Sequence, residues 1–363
     1  MRVAVDARAL GTHPTGVGRY LEGLLSAWLD AHPDDSFVLV SSRPVRLPQA
    51  LEGRVETRAT AGRVPGTLWL QTLAPFLAAK SGADVFFGPL GILPLRSPLP
   101  SVVTVHDLTP LLHPSWHHVR NRVGFSLLGP TLRRATRVIS VSEATRRDLL
   151  RFHPDTDGKC TVVHSGVRPP EPAGDAGEPD GRPYVLYLGT IEPRKNLVRL
   201  VEAMESIWSR RPDFPDLVLA GGSGWGMRAF SARVASSRHA RRIRRLGWVT
   251  PQKALTLLSG ARLLAYPSLY EGFGFPPLEA MAAGTVVVAS SSSSLPEVLG
   301  DAALLPDPED SSAIAAALEK AEGDEEWRRA ARARGLVRAA ELSWTRAARA
   351  TRRVFESALG SAS

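Results

Sequence analysis

Two glutamates, Glu271 and Glu279, stand eight positions apart in the stretch YEGFGFPPLEAMAAG, with two glycines, two phenylalanines and a double proline between them. Pro276 and Pro277 do not suit a helix interior but are favoured in its first turn. A helix is therefore expected to begin beside them, run through LEAMAAG and stop at Gly284. This places Glu279 in the first turn and Glu271 in the loop before it, where two glycines let backbone approach a ligand closely. Eight residues span roughly 12 Å as helix and roughly 27 Å when extended. The two carboxylates thus suit separate parts of one elongated ligand better than a close acid/base pair. The helix start between them offers N–H groups and positive potential to a phosphate. A lone pair of this kind has a plainer reading, in which Glu279 complements the helix dipole and Glu271 is solvated.

Other segments add to it. LGTIEPRKN (188–196) follows a strand-like run and puts Arg194 and Lys195 just before an apolar-periodic helix. Two cations at such a junction suit a diphosphate, although an exposed basic turn would look the same. PTGVGRY places Gly16 and Gly18 at another helix start. As a dinucleotide fingerprint it is weak, because Leu21 occupies the third glycine position, yet Gly16 and Gly18 still let backbone approach phosphate or sugar. His106 and Asp107 end the run SVVTVHD, either as a structural hydrogen-bond pair or as part of a site.

The elements that must position these residues alternate. RVAVDAR, FVLVSS (37–42), DVFFGP (84–89), SVVTVHD (101–107) and RVISVSE (137–143) read as strands, with helical patterns such as 66–80 and 143–152 between them. After the Pro-, Gly- and acid-rich stretch 169–183 the pattern restarts with YVLYLGT, DLVLAGG, RIRRLGWV, LLAYPS and TVVVAS. The fold class implied is α/β, with two Rossmann-like doubly wound parallel sheets facing a cleft. The expected divisions are an N-terminal domain over 1–168, a linker over 169–183, a second domain over 184–345 and a final helix over 346–363. Ligands of such sheets bind at the carboxyl ends of the strands.

Composition sets limits. The 363 residues favour two domains. A single cysteine rules out an intrachain disulfide, and no apolar run is long enough to span a bilayer. A cytoplasmic location is expected. The formal charge of +9 suits a phosphate-bearing substrate or an anionic membrane face. The segment 117–138 mixes arginines with Phe125, Leu127, Leu128 and Leu132, so it reads either as an interfacial helix at the inner face of the membrane or as a domain helix with a solvated basic face. The last helical stretch, 344–359, has the same ambiguity. The basic residues are dispersed and carry no zinc-ligand spacing or RNA-binding signature, so nucleic acid is not an expected partner.

Taken together, LGTIEPRKN, PSLYEGFGFPPLEAMAAG, VVVASSSSSLPEVLGDAALL and TVHDLTP resemble family-4 glycosyltransferases of the retaining GT-B type, and within them mannosyltransferases of bacterial polysaccharide assembly. The resemblance runs over nearly the whole chain and is strongest from about 184 to 310. It implies a nucleotide-sugar donor, with GDP-mannose favoured, and a glycan or lipid-linked acceptor. The sequence shows no Asp and His cluster for a divalent metal, Lys195 with Arg194 can supply much of that charge, and neither metal nor cofactor is expected. The resemblance assigns ribose to Glu279, the donor sugar to Glu271, the diphosphate to Lys195 and Arg194, and the transferred sugar to His106. Gly16, with Gly18 beside it, would shape the pocket from the first domain. Gly274, Phe275 and Leu278 would line sugar and phosphates, and Trp248 and Val249 would border the base. The resemblance also packs the final helix back toward the first domain. Two positions depart from the pattern. Thr190 stands where many relatives carry an arginine for the diphosphate, and Thr285 stands where proline is usual. A sugar-nucleotide epimerase and a non-catalytic nucleotide-binding module are the competing readings.

Overall fold

The computed structural model describes residues 1–10, 15–62, 64–117, 125–168 and 181–361. The chain divides into two compact units, Met1–Gly166 with Leu342–Ser363, and Val167–Glu341. The boundaries therefore fall at Gly166 and Glu341 rather than at 168 and 345. Most of the expected linker, residues 169–180, lies outside the described residues.

The first unit is a seven-stranded parallel sheet in the order β3-β2-β1-β4-β5-β6-β7. Its strands are β1 (Arg2–Asp6), β2 (Ser36–Ser41), β3 (Glu56–Ala59), β4 (Val85–Gly88), β5 (Ser101–Val105), β6 (Arg137–Ser140) and β7 (Cys160–Val162). The chain winds outward from β1 to β3, then returns to β4 on β1's other side, so Val3 pairs with both Phe37 and Val85. A parallel sheet covered on both faces needs strands that are apolar throughout, and β4 and β5 are buried at every residue.

The sequence pattern missed β3 and β7. They are the two edge strands of this sheet, and β3 (ETRA) has mostly exposed side chains, so neither carries the apolar run that marks a central strand. The expected helix over 66–80 is two helices, Gly66–Thr72 and Ala74–Lys80. Pro75 has no N–H to continue the first and sits in the opening turn of the second. In the segment 117–138, residues 118–124 lie outside the described part. In the remainder, Leu128 and Leu132 are buried in the core and Phe125 packs against it, so those apolar side chains face inward.

The helix Trp344–Gly360 belongs to the first unit. Phe355 is fully buried and meets Trp28 and Phe87 edge-on, at centroid distances of 5.2 and 5.3 Å. Arg352 donates to Asp35 Oδ2 at 2.8 Å, and Asp35 also accepts from Trp28 Nε1 and the Met1 amino group. Gly166 and Trp344 lie against one another, since a Cβ on Gly166 would stand 2.1 Å from the Trp344 nitrogen.

The second unit repeats the design with six parallel strands in the order β10-β9-β8-β11-β12-β13. They are β8 (Tyr184–Leu188), β9 (Asp216–Ala220), β10 (Ile243–Gly247), β11 (Leu263–Ala265), β12 (Val287–Val288) and β13 (Ala303–Leu304). Here β8 is the strand of reversal, and Val185 pairs with Leu217 on one side and Leu263 on the other. The unforeseen β13 is again an edge strand, two residues long. Among the described residues no helix is long and apolar enough to cross a membrane.

Candidate active site

In a doubly wound sheet the loops after the two strands that flank the reversal diverge and leave a crevice. In the second unit these are the loops after β8 and β11. The first carries Glu192, Arg194 and Lys195, and the second carries Tyr266 and Glu271.

Local chemistry holds the two loops in register. Pro193–Lys195 form a single 3₁₀ turn closed by Asn196 in the left-handed region (φ 61°), a conformation asparagine tolerates better than other side chains. The buried Asn196 amide donates to the carbonyls of Pro267 at 3.1 Å and Pro308 at 2.6 Å. Leu269 N–H donates to the Arg194 carbonyl at 2.8 Å. The loops are thus tied by backbone and side chain before any charge is considered.

The charges then meet. Lys195 Nζ lies 2.5 Å from Glu271 Oε1 and donates to Tyr266 Oη at 2.6 Å. Arg194 Nη1 reaches Glu271 Oε2 at 3.0 Å and the Tyr270 carbonyl at 3.1 Å, and its Nε pairs with Glu192. Glu271, Lys195 and Glu192 are 6%, 5% and 7% exposed. Burial pushes the Glu271 carboxyl up, but Arg194 and then Lys195 outweigh it and hold it at about 2. Burial pushes the Lys195 amine down, and Glu271 opposes that fall. Tyr266 and Tyr187, stacked with ring centroids 5.8 Å apart, both titrate well above the ordinary tyrosine value because they are buried.

Beyond Glu271 the loop is fixed by the serine run. Glu271 N–H donates to Ser293 Oγ at 2.8 Å, and Ser294 Oγ donates to the Glu271 carbonyl at 3.0 Å. Ser293 itself is held at φ 54°, a conformation that costs energy and that surrounding structure must enforce. Gly274, at φ 97°, precedes the helix Phe275–Ala282, and a Cβ there would stand 2.6 Å from Leu295 Cδ2. The helix ends as expected at Gly284, where Gly284 N–H reaches the Met281 carbonyl at 3.0 Å and Thr285 N–H the Ala280 carbonyl at 2.8 Å, the Schellman pair. One detail is corrected: the helix begins at Phe275, so Glu279 is its fifth residue and opens the second turn. Leu278 is buried in this helix, and Glu279 is half-buried. Thr190 is exposed after β8. Trp248 and Val249 follow the edge strand β10, with Trp248 56% exposed.

Gly16, Gly18 and His106 belong to the first unit. Gly16 opens the helix Gly16–Ala31 with nothing near its missing Cβ, whereas a Cβ on Gly18 would meet the Ala9 carbonyl at 2.8 Å. Gly18 thus serves close packing of the helix on the exit of β1. His106 follows β5, and its Nε2 lies 2.9 Å from the Pro89 carbonyl. A carbonyl only accepts, so Nε2 carries the proton. Burial lowers the His106 pKa, which favours the neutral ring with Nδ1 as acceptor. The Tyr20 ring meets it edge-on at 4.9 Å.

The family model for glycosyl transferases group 1 matches residues 172–337, and that for glycosyltransferase family 4 matches 14–170. The O-antigen chain mannosyltransferase B of Escherichia coli is 36% identical over 272 residues, which cover 72% of this chain and 71% of that protein. The chain belongs to the family 4, group 1 glycosyltransferases. The sucrose-phosphate synthase of Thermosynechococcus elongatus superposes with a TM-score of 0.80 at 22% identity, over 100% of this chain and 99% of that one. HepE of Anabaena, in complex with UDP-glucose, gives 0.76 at 17% identity, over 98% and 100%. The fold of this glycosyltransferase is GT-B.

For a hexosyltransferase the geometry has direct chemical meaning. A carboxyl held near 2 by two cations is a poor proton acceptor at neutral pH, and the ion pairs suit Glu271 to holding Arg194 and Lys195 in place better than to serving as a base. Lys195 has three donors, and Glu271 and Tyr266 take two of them. Among the described residues no three His, Cys, Asp or Glu side chains gather as metal ligands. Sequence reasoning missed Tyr266, Ser293 and Ser294. Tyr266 sits at a strand end, where its hydroxyl could have been suspected. The serines carried no signal beyond their run.

Proposed function

We propose that this glycosyltransferase is retaining and metal-independent, and moves mannose from GDP-mannose to a glycan or lipid-linked acceptor. The observation that carries the donor side is the convergence of Arg194 and Lys195 on Glu271 at the strand reversal of the second unit. Breaking the anomeric bond leaves negative charge on a nucleoside diphosphate, and fixed cations are the groups that stabilise it. Two such cations can carry charge that a metal would otherwise carry. Glu192 and Glu271 already balance Arg194 and Lys195, so a diphosphate must share these cations with Glu271. The remaining Lys195 donor and the start of the helix after Gly274 are the natural first contacts. Glu279 is assigned to the ribose hydroxyls and His106 to the transferred sugar. Mannose is favoured by the mannosyltransferase relative and guanosine by the same analogy. The Anabaena neighbour's UDP-glucose keeps the uridine donor as the comparison.

The test is transfer from a panel of labelled sugar nucleotides to a glycan and a lipid-linked acceptor. GDP-mannose should give product, and Lys195→Ala should abolish it without loss of fold. Product from UDP-glucose alone would replace the donor, and conversion without any acceptor would mark an epimerase.

A further inference from the structure

The first unit carries its own charged device at the strand of reversal. Asp6 ends β1, and Arg8 follows two residues later. Arg8 Nε donates to Asp6 Oδ1 at 2.8 Å and Nη2 to Oδ2 at 2.6 Å, while the Arg8 backbone N–H reaches Oδ1 at 3.2 Å. Asp6 is fully buried, and the Arg8 side chain is 14% exposed. The guanidinium lies over the Trp69 ring, 5.8 Å from its centroid. Its plane is therefore fixed by a fork on one edge and a ring on one face.

That leaves Nη1. Guanidinium has five N–H donors, and no hydrogen bond from Nη1 is made among the described residues. A Cβ added to Gly66, the first residue of the helix Gly66–Thr72, would stand 3.1 Å from Nη1. Glycine keeps this nitrogen uncovered. Trp69 Nε1, buried beside the same group, is also a donor with no partner among the described residues. A buried ion pair adds little to stability compared with apolar residues of the same volume, so stability alone gives no reason for this one. The arrangement repeats that of the second unit, in which a carboxylate anchors a cation at the carboxyl end of the sheet where the strand order turns back.

We propose that Arg8, oriented by Asp6 and bared by Gly66, binds an oxoanion on the acceptor, a phosphate or a carboxylate. This rests on the reading of the chain as a transferase with its donor in the second unit, and it specifies the chemistry of the other substrate. A guanidinium held by a carboxylate on one edge presents a preorganised charge-assisted donor on the other. A neutral sugar gains little from it.

The test uses the full chain saturated with GDP, so that Arg194 and Lys195 are occupied, titrated with mannose 1-phosphate, methyl glucuronide and methyl α-mannoside. At least one anion should bind about tenfold tighter than the neutral glycoside, the gain of one charge-assisted hydrogen bond. Preference for mannose 1-phosphate identifies a phosphate-bearing acceptor, and preference for the glucuronide a uronate. Gly66→Ala, which covers Nη1 and leaves the ion pair intact, should erase the preference. The double variant Asp6→Asn/Arg8→Gln, which removes both charges together, should do the same. GDP affinity should be unchanged in both. Equal binding of all three ligands, or a preference that survives both variants, overturns the proposal. Failure of GDP to bind would fall on the donor reading instead, and the same titration of nucleotide-free protein would still decide the role of Arg8.

Discussion

Replacing Glu271 by Gln keeps the shape of the side chain and removes its charge. Lys195 then loses the negative charge 2.5 Å away and keeps the Tyr266 hydroxyl and a neutral amide oxygen as acceptors, while Arg194 keeps Glu192 and the Tyr270 carbonyl. Breaking a buried pair from one side costs about 3–5 kcal/mol. The partners that remain place this case near the lower end, at about 3 kcal/mol, or a fall in melting temperature of about 6–12 °C for a unit of this size. The pH dependence is more diagnostic. Burial lowers the Lys195 pKa and Glu271 opposes that, so in the variant it falls further. A lysine whose folded pKa lies below its unfolded value takes up a proton on unfolding, and stability therefore rises with pH between the two values. The variant's window opens at lower pH, so its stability deficit should narrow as pH rises through the further-lowered Lys195 pKa. Over the same range its affinity for GDP should weaken, because the cation that meets the diphosphate is being lost. Thermal melts and calorimetric GDP titrations across pH read both trends. A variant with wild-type melting temperature and wild-type GDP affinity at every pH would refute the reasoning.

Gly274→Ala forces a side chain to φ 97° and into Leu295, at a cost of about 1–3 kcal/mol. Donor KM should rise as the helix start shifts, and kinetics with a melt check it; an unchanged KM would detach this loop from the donor. Asp35 is held at about 2 against an ordinary 3.8, because Arg352, Trp28 and the Met1 amino group outweigh the effect of its burial. Its contribution, about 2 kcal/mol, is present above pH 4 or so and lost as pH falls through 2. Asp35→Asn should therefore destabilise at neutral pH and converge on wild type in acid, as urea melts at both pH values would show.

Strands buried on both faces announced themselves. YVLYL, DLVLA and SVVTV are buried at every residue and mostly apolar because helices cover both sides of a central parallel strand. ETRA and CTV were invisible because an edge strand has no such requirement. Arg194, Lys195 and Glu271 were legible as types at the right junctions, yet their mutual pairing was not. Glu271 and Lys195 lie 76 residues apart in the chain, and local spacing carries no information across that gap. For the same reason the junction showed two cations suited to a diphosphate but not the carboxylates that bind them in the folded unit. Asp6 and Arg8 stand in plain view in the strand-like run RVAVDAR. Their meaning depends on β1 being the strand of reversal, which needs the sheet order.

The helix Trp344–Gly360 completes a unit whose other part precedes Val167. On the ribosome, Trp28 and Phe87 emerge without Phe355, and Asp35 without Arg352. They remain so while all of Val167–Glu341 is translated, on the order of ten to thirty seconds at ordinary elongation rates. The second unit, contiguous in the chain, can fold first, and the half that is synthesised earlier closes last.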